Sequence, residues 1–356
     1  MSYWWLVASF RTKFSKGGIE PKIFPIFLKK KLTMKRTRRT FLRESGLMAA
    51  GLAVYGLSAC GNNGQQQSSE STIKMLDTPE LFFKISLAQW SLHKALKAGK
   101  LDNLDFAAKA KNDFGISAVE YVNQFFMDKA KDQAYLAEMK KRADDNGVRS
   151  VLIMIDGEGD LGSLDDAARK QAVTNHYKWL DAAKFLGCHS IRVNARGEGK
   201  IDDVAQAATI SLGQLGDYAK QLELNVIVEN HGGYSSNGQW LSYVMKAVGK
   251  ENVGTLPDFG NFCITRNEDG SCAEEYDRYR GVDELMPFAK GVSAKSNDFN
   301  EDGSEVKMDY LRLLKIVKDA GYTGYIGIEY EGDRLSEDDG IRATKNLLIK
   351  EGARLS

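Results

Sequence analysis

The chain has 356 residues and is 43% hydrophobic, 27% charged and 10% aromatic. This globular composition excludes disordered and fibrous classes and leaves ample material for a large buried core. The net charge of +1 hides two parts: residues 1–59 hold 12 Lys+Arg against 2 Asp+Glu, and the remainder holds 37 against 46, a net of −9. An acidic body argues against nucleic-acid binding. Four cysteines are too few for a disulfide scaffold, and no apolar run after residue 60 approaches the roughly 18 residues of a spanning helix.

Residues 1–33 precede a better start at Met34 and read as an extra extension without evident chemistry. From Met34 a basic stretch (Lys35, Arg36, Arg38, Arg39) precedes a short apolar run, Leu47 to Leu57. Residues 34–60 therefore predict a secretory signal, too short for a membrane span. Thr37-Arg38-Arg39-Thr40-Phe41-Leu42-Arg43 resembles a twin-arginine export signal, and Leu57-Ser58-Ala59-Cys60 resembles a bacterial lipobox. That resemblance implies lipidation at Cys60 and a lipid-anchored protein of the periplasm or cell envelope. The competing reading is an amphipathic helix followed by a free Cys. Residues 61–80 then form a polar tether with no core-forming pattern.

From residue 81 onward, eight β-rich runs alternate with helical periodicity. They are 84–91, 118–123, 149–156, 189–195, 225–230, 253–259, 291–296 and 325–331. Gly115, Gly147, Gly187 and Gly321 punctuate helix ends. Strands alternating with helices imply a parallel α/β sheet, and eight units in about 270 residues predict a (β/α)8 TIM barrel over 81–356. A doubly wound open sheet is the alternative. In a barrel, chemistry sits where the strands end.

Three strand ends carry acids: Glu229 in VIVENHGGY, Asp258 in TLPDFGNF and Glu329 in GIEYEG. The period-2 alternation predicts that Ile227, Glu229 and His231 share one direction. Buried carboxylates are costly unless paired, protonated or metal-bound. Three converging acids call for a cation, and hard oxygen ligands suit a divalent metal such as Mn or Mg. Ion pairing with Lys or Arg is the competing explanation.

The ENHGG, PDFGNF and GYIGIEYEG segments, in this order, resemble the xylose isomerase-like sugar phosphate isomerase/epimerase superfamily, the group of D-tagatose 3-epimerase and inosose dehydratase. The likeness spans essentially residues 84–353 and is strongest from Val226 to Gly332. It implies a TIM barrel with one divalent metal (Mn, Mg, Co or Zn) held by Glu, Asp, His and Glu. Glu229, Asp258 and Glu329 match the first, second and fourth ligands. Ser293, in Val292-Ser293-Ala294-Lys295-Ser296, stands where the His is expected. His231 or a water would complete the shell, or Lys295 would replace the cation's charge. The resemblance further implies that Glu229 and Glu329 act as an acid/base pair on the carbon next to a carbonyl, with Lys295 stabilising the oxyanion or serving as a base if burial lowers its pKa.

Other candidates are weaker. Arg192 and Asn194 alternate with Ile191 and Val193, toward the barrel mouth or, for Arg192, an outer salt bridge. Trp90 would stack on a sugar ring or pack in the core. Glu120, His231 and Asn261 would contact the sugar. Cys263 and Cys272 bracket a loop after the sixth strand and are expected to form a disulfide in an oxidising compartment. The reading is a sugar isomerase or epimerase acting on a non-phosphorylated keto sugar or 3-keto-glycoside. Its alternatives are a lyase or hydrolase of oxidised sugars and a non-catalytic sugar-binding lipoprotein. The expected partner is a small-molecule sugar, with no nucleic acid, membrane contact only through Cys60, and homo-oligomerisation left open.

Overall fold

The computed structural model describes residues 80–356. The expected extension, signal, lipidation site at Cys60 and nearly all of the tether lie outside the described residues. Eight parallel strands line the barrel: β1 (Lys84–Ala88), β2 (Ala118–Val122), β3 (Arg149–Met154), β4 (Ser190–Val193), β5 (Asn225–Glu229), β6 (Val253–Leu256), β9 (Val292–Ser296) and β10 (Tyr325–Tyr330). Their order is β6-β5-β4-β3-β2-β1-β10-β9. The seam between β6 and β9 closes through isolated parallel bridges, Thr255 to Ala289 and Asp258 to Ser293. Pro257 interrupts β6 there because it has no N–H to give the ladder. Its carbonyl still accepts from Ser293 N at 2.9 Å, and Phe259 N donates back to Ser293 O at 3.1 Å. The fold is a (β/α)8 TIM barrel.

Besides a single-turn helix at His93–Lys97, eight longer helices follow the strands among the described residues: α1 (Phe106–Phe114), α2 (Gln133–Asp145), α3 (Asp166–Leu186), α4 (Ile201–Gln221), α5 (Gly238–Val248), α6 (Arg278–Leu285), α7 (Tyr310–Asp319) and α8 (Glu337–Ala353). Their starts obey simple chemistry. Asp132, Asp165, Asn237, Asp277, Asp309 and Ser336 each accept a backbone N–H from the first turn of the helix they cap. Gly115 and Gly187 end α1 and α3 at φ 64° and 79°, a left-handed turn that side chains resist. No described helix is long and apolar enough to cross a membrane.

Alternation along the strands divides the apolar residues into two cores. Val226, Val228, Ile326 and Ile328 pack outward against the helices, while Ala88, Val122, Met154, Ile227 and Leu256 fill the inside of the barrel. Inward positions nearer the strand ends are polar, which builds the site. Most observed strands stop one to three residues before their polar tails, because those tails turn into loops. Residues 89–91, expected as strand, belong to a 3-10 turn (Gln89–Leu92) pinned by Ser91, whose hydroxyl donates to Ile328 O at 3.0 Å and accepts from Tyr330 N at 2.9 Å. Between β6 and α6 the chain adds an antiparallel hairpin, β7 (Cys263–Arg266) and β8 (Cys272–Glu275), with Cys263 and Cys272 joined in a disulfide. Its short, largely exposed strands carry no apolar alternation to announce them.

Gly327 on β10 sits inside the barrel where a Cβ would lie 2.6 Å from both carboxyl oxygens of Glu120. Gly327→Ala is therefore expected to cost about 1–3 kcal/mol by overpacking. The double variant with Glu120→Ser should recover most of that loss in urea unfolding. A single variant as stable as the parent would contradict this packing.

Candidate active site

Glu229, Asp258 and Glu329 reach the barrel mouth from the ends of β5, β6 and β10. One carboxylate oxygen of each lies within 4.8 Å of the others, and all three side chains are buried. Several polar neighbours hold them. Gly260 N and Asn261 N each donate to Asp258 Oδ1 at 2.8 Å. Ser293 Oγ lies 2.6 Å from Asp258 Oδ2 and 3.1 Å from Glu329 Oε2. Asn261 Nδ2 donates to Glu229 Oε1 at 3.1 Å. Two cations balance part of the charge. Lys295 Nζ sits 2.9 Å from Glu329 Oε1 and 3.1 Å from Glu331 Oε1. Arg192 Nε approaches Glu229 Oε2 at 2.7 Å, and its Nη1 donates to Asp156 Oδ1 at 2.9 Å. The Nε–H is not aimed along the first contact, so Glu229 Oε2 and Arg192 Nε remain buried without a hydrogen bond.

Burial and charge then pull the acids apart. Burial raises Glu229 to about 7 against the Arg192 charge, and raises Asp258 to about 7 against Lys295. Burial would also raise Glu329, but the ammonium of Lys295 outweighs it and holds this carboxyl below its ordinary value. Asp156, likewise partly desolvated, is lowered to about 2 by Arg192. Burial alone would lower Lys295. The carboxylates of Glu329, Asp258 and Glu331 instead hold it well above its usual range, the opposite of the lowering on which the expected role as a base depended.

A cavity of about 420 Å³ opens over this cluster, lined among others by Trp90, Asp156, Arg192, Asn194, His231 and Glu329. Arg192 points inward rather than into an outer salt bridge. Asn194 Nδ2 donates to Asp156 Oδ1 at 2.7 Å. Trp90 reaches the cavity, but His93 stacks on its ring at 4.9 Å and Lys97 Nζ lies 4.3 Å from the ring centre. His231 stands exposed at the rim, outside the carboxylate cluster, which corrects its assignment as a metal ligand. The alternation that aligns Ile227 with Glu229 ends with β5, and the chain turns away through Gly232 at φ 80°. Glu120 is corrected too: it lies inside the barrel away from the cavity lining, with Ser86 Oγ donating to Oε1 at 2.5 Å and Oε2 unpartnered. Asn261 supports Glu229 rather than lining this cavity. Glu331 was not singled out in the sequence, although its place two residues after Glu329 on one face was signal enough. The network role of Ser293 had no local signal.

A hard divalent cation fits this donor set. Three buried carboxylates converge, and Glu229 Oε2 lacks a partner. Ser293 offers only a neutral hydroxyl already engaged with two of them, so a fourth ligand would be water.

Residues 107–354 match the family described as "Xylose isomerase-like TIM barrel". No curated protein matches the sequence. Among solved structures, the barrel is similar to a 3-keto-D-glucoside 4-epimerase from E. coli at 14% identity and TM-score 0.55, covering 76% of this chain and 100% of that one. A D-psicose 3-epimerase crystallised with D-fructose aligns at 16% identity and TM-score 0.54, covering 75% and 98%. The IOLI protein with a zinc atom aligns at 12% identity and TM-score 0.59, covering 76% and 99%. At these identities the likeness shows the fold.

Glu120 generates a pH prediction. Burial raises its carboxyl to about 8, with Ser86 pulling the other way and the charges of Glu329 and Glu229 adding to the rise. The folded chain therefore keeps a proton that the unfolded chain releases above its ordinary value near 4.5. Stability from this group is fully present below that pH and is lost as pH rises toward 8. At about 1.4 kcal/mol per pH unit, the decline is on the order of 4 kcal/mol. Urea unfolding between pH 5 and pH 8 should show it, and Glu120→Gln should flatten the slope. An equal slope in the variant would mean the acid is already ionised when buried.

Proposed function

The chain belongs to the xylose isomerase-like TIM barrel family, and from that premise we propose that it is a sugar isomerase or epimerase acting on a non-phosphorylated keto sugar or keto-glycoside. The observation that carries the reading is the convergence of Glu229, Asp258 and Glu329, with Glu329 opening onto a polar, sugar-sized cavity. The printed activities of the epimerase neighbours support it.

Glu329 is the base. It faces the cavity, and Lys295 keeps its carboxylate charged and fixed in direction. It takes the proton from the carbon beside the carbonyl, and the electron pair moves onto the carbonyl oxygen, giving an enediolate. Glu229, with a carboxylate oxygen within 4.8 Å of one of Glu329, is the second carboxyl and returns a proton to that carbon, while Glu329 gives up the proton it took to solvent. Such transfers contribute on the order of 10²–10⁴ in rate. Glu229, Asp258 and Glu329 would hold a divalent cation, whose chemistry is to polarise the substrate oxygens and stabilise the enediolate. Arg192, Asn194 and His231 orient hydroxyls from the cavity wall, and Lys295 and Arg192 offset the negative charge that builds up.

The leader supports export: Thr37–Arg43 reads as a twin-arginine signal and Cys60 as a lipid attachment point, which would tether the enzyme in the cell envelope. Cys60→Ser should release it to the soluble envelope fraction and abolish labelling with a radioactive fatty acid.

Solvent deuterium incorporation across a panel of keto sugars tests the chemistry. Glu229→Gln and Glu329→Gln should each lower exchange by at least about 10²-fold, and unchanged exchange in both would reject the assignment. A chelator should suppress exchange in the parent, with Mn or Mg restoring it. Full exchange in chelator would remove the metal while leaving the two glutamates. Ser293→His should tighten metal binding, read by calorimetry with Mn alone, because an imidazole is a far better ligand than a hydroxyl.

A further inference from the structure

A second cavity, of about 560 Å³, adjoins the first at Glu331, which lines both. Its walls are the β7–β8 hairpin, the turn at Gly260 and Asn261, and the segment after β9. It shares residues with the reaction site. Glu331 lines both cavities. Lys295 lines the second and contacts Glu329, and Asn261 lines it and donates to Glu229. Glu329 itself opens on the first space, and the second is joined to the two glutamates through Lys295 and Asn261.

The charge of the second cavity differs from that of the first. Arg278 is taken up by Glu275 at 2.5 Å, and Lys295 by Glu329 and Glu331. Arg266 and Lys307 also line the cavity, and neither forms an ion pair among the described residues. Arg266 only donates to Gly270 O, at 3.0 Å within its own hairpin turn. The Cys263–Cys272 disulfide ties the hairpin strand that carries Arg266 to its partner, so this cation is presented from a braced support.

We infer that the second cavity is a subsite for a second sugar ring bearing a carboxylate, so that the substrate is a keto-glycoside of a uronic acid rather than a free monosaccharide. The inference rests on the proposed reaction at Glu229 and Glu329 and adds the substrate class. The keto ring occupies the first cavity with its reacting carbon over Glu329. The glycosidic link passes Glu331, and the uronate meets Arg266 and Lys307, where two unpaired cations favour an anion and a neutral ring leaves them unused.

Deuterium exchange and calorimetry with 3-keto-glucose, 3-keto-cellobiose and 3-keto-cellobiuronic acid, each oxidised on the ring that reacts, test this. The expected order of KM is cellobiuronate lowest, then cellobiose, then glucose, with at least tenfold between the extremes. Arg266→Ala combined with Lys307→Ala should shrink the advantage of the uronate over 3-keto-glucose tenfold, acting on KM rather than kcat. Arg266→Glu should reverse the preference for the charged disaccharide over the neutral one. Equal KM for glucose and cellobiuronate overturns the subsite, and equal KM for the two disaccharides overturns its charge preference. If none of the three sugars exchanges a proton, the reaction reading fails, and calorimetry then decides the subsite alone. Uronate binding that the double alanine variant weakens tenfold supports the subsite, and absent or unaltered binding overturns it.

Discussion

The site depends on confining several carboxylates in one dry barrel mouth. Glu229, Asp258, Glu329 and, deeper inside the barrel, Glu120 are all buried, and among the described residues Arg192 and Lys295 are the cations that stand with them. Buried like charges repel strongly and forgo hydration, so such a cluster persists only if protons or cations make up the deficit. The two basic residues divide the work unequally. Lys295 bonds directly to Glu329 and keeps it ionised. Arg192 meets Glu229 off-axis and leaves an oxygen and an N–H without partners. That asymmetry is where a further cation or a substrate oxygen has something to gain.

The barrel supplies the confinement. Parallel strands bring alternate residues inside, and several strand ends deliver polar side chains to the same small volume. Glycine at 327 makes room for Glu120 within it. Backbone N–H groups at Gly260 and Asn261 hold Asp258 in place, and Asn230 locks the neighbouring strand ends together by accepting from Asp258 N at 2.7 Å.

Much of this was readable along the chain. Eight strand starts, the helices between them and the glycines that stop those helices follow from local periodicity and punctuation. Glu229, Asp258 and Glu329 stood out because an acid closing an apolar strand is costly. What could not be read was direction beyond a strand end. His231 was expected among the metal ligands; it reaches the same cavity as Glu329 but stays outside the three converging carboxylates, as the chain turns after β5. Glu120 lay in strand two with the right polarity, yet sits inside the barrel rather than in the cavity. Arg192 had two equally good orientations until the strand twist and its partners chose the interior one.

The sequence by itself located the eight strands in chain order and the three acids at their ends, and favoured a barrel over an open sheet, because those depend on period-2 and helical patterns and on residues a few positions apart. Only the tertiary structure decided which cation faces which acid, that Ser293 bridges Asp258 and Glu329, and that a second cavity opens behind Lys295 and Glu331. Those contacts join residues tens to hundreds of positions apart. Their distances are set by strand stagger and barrel closure, which leave no local trace in the chain.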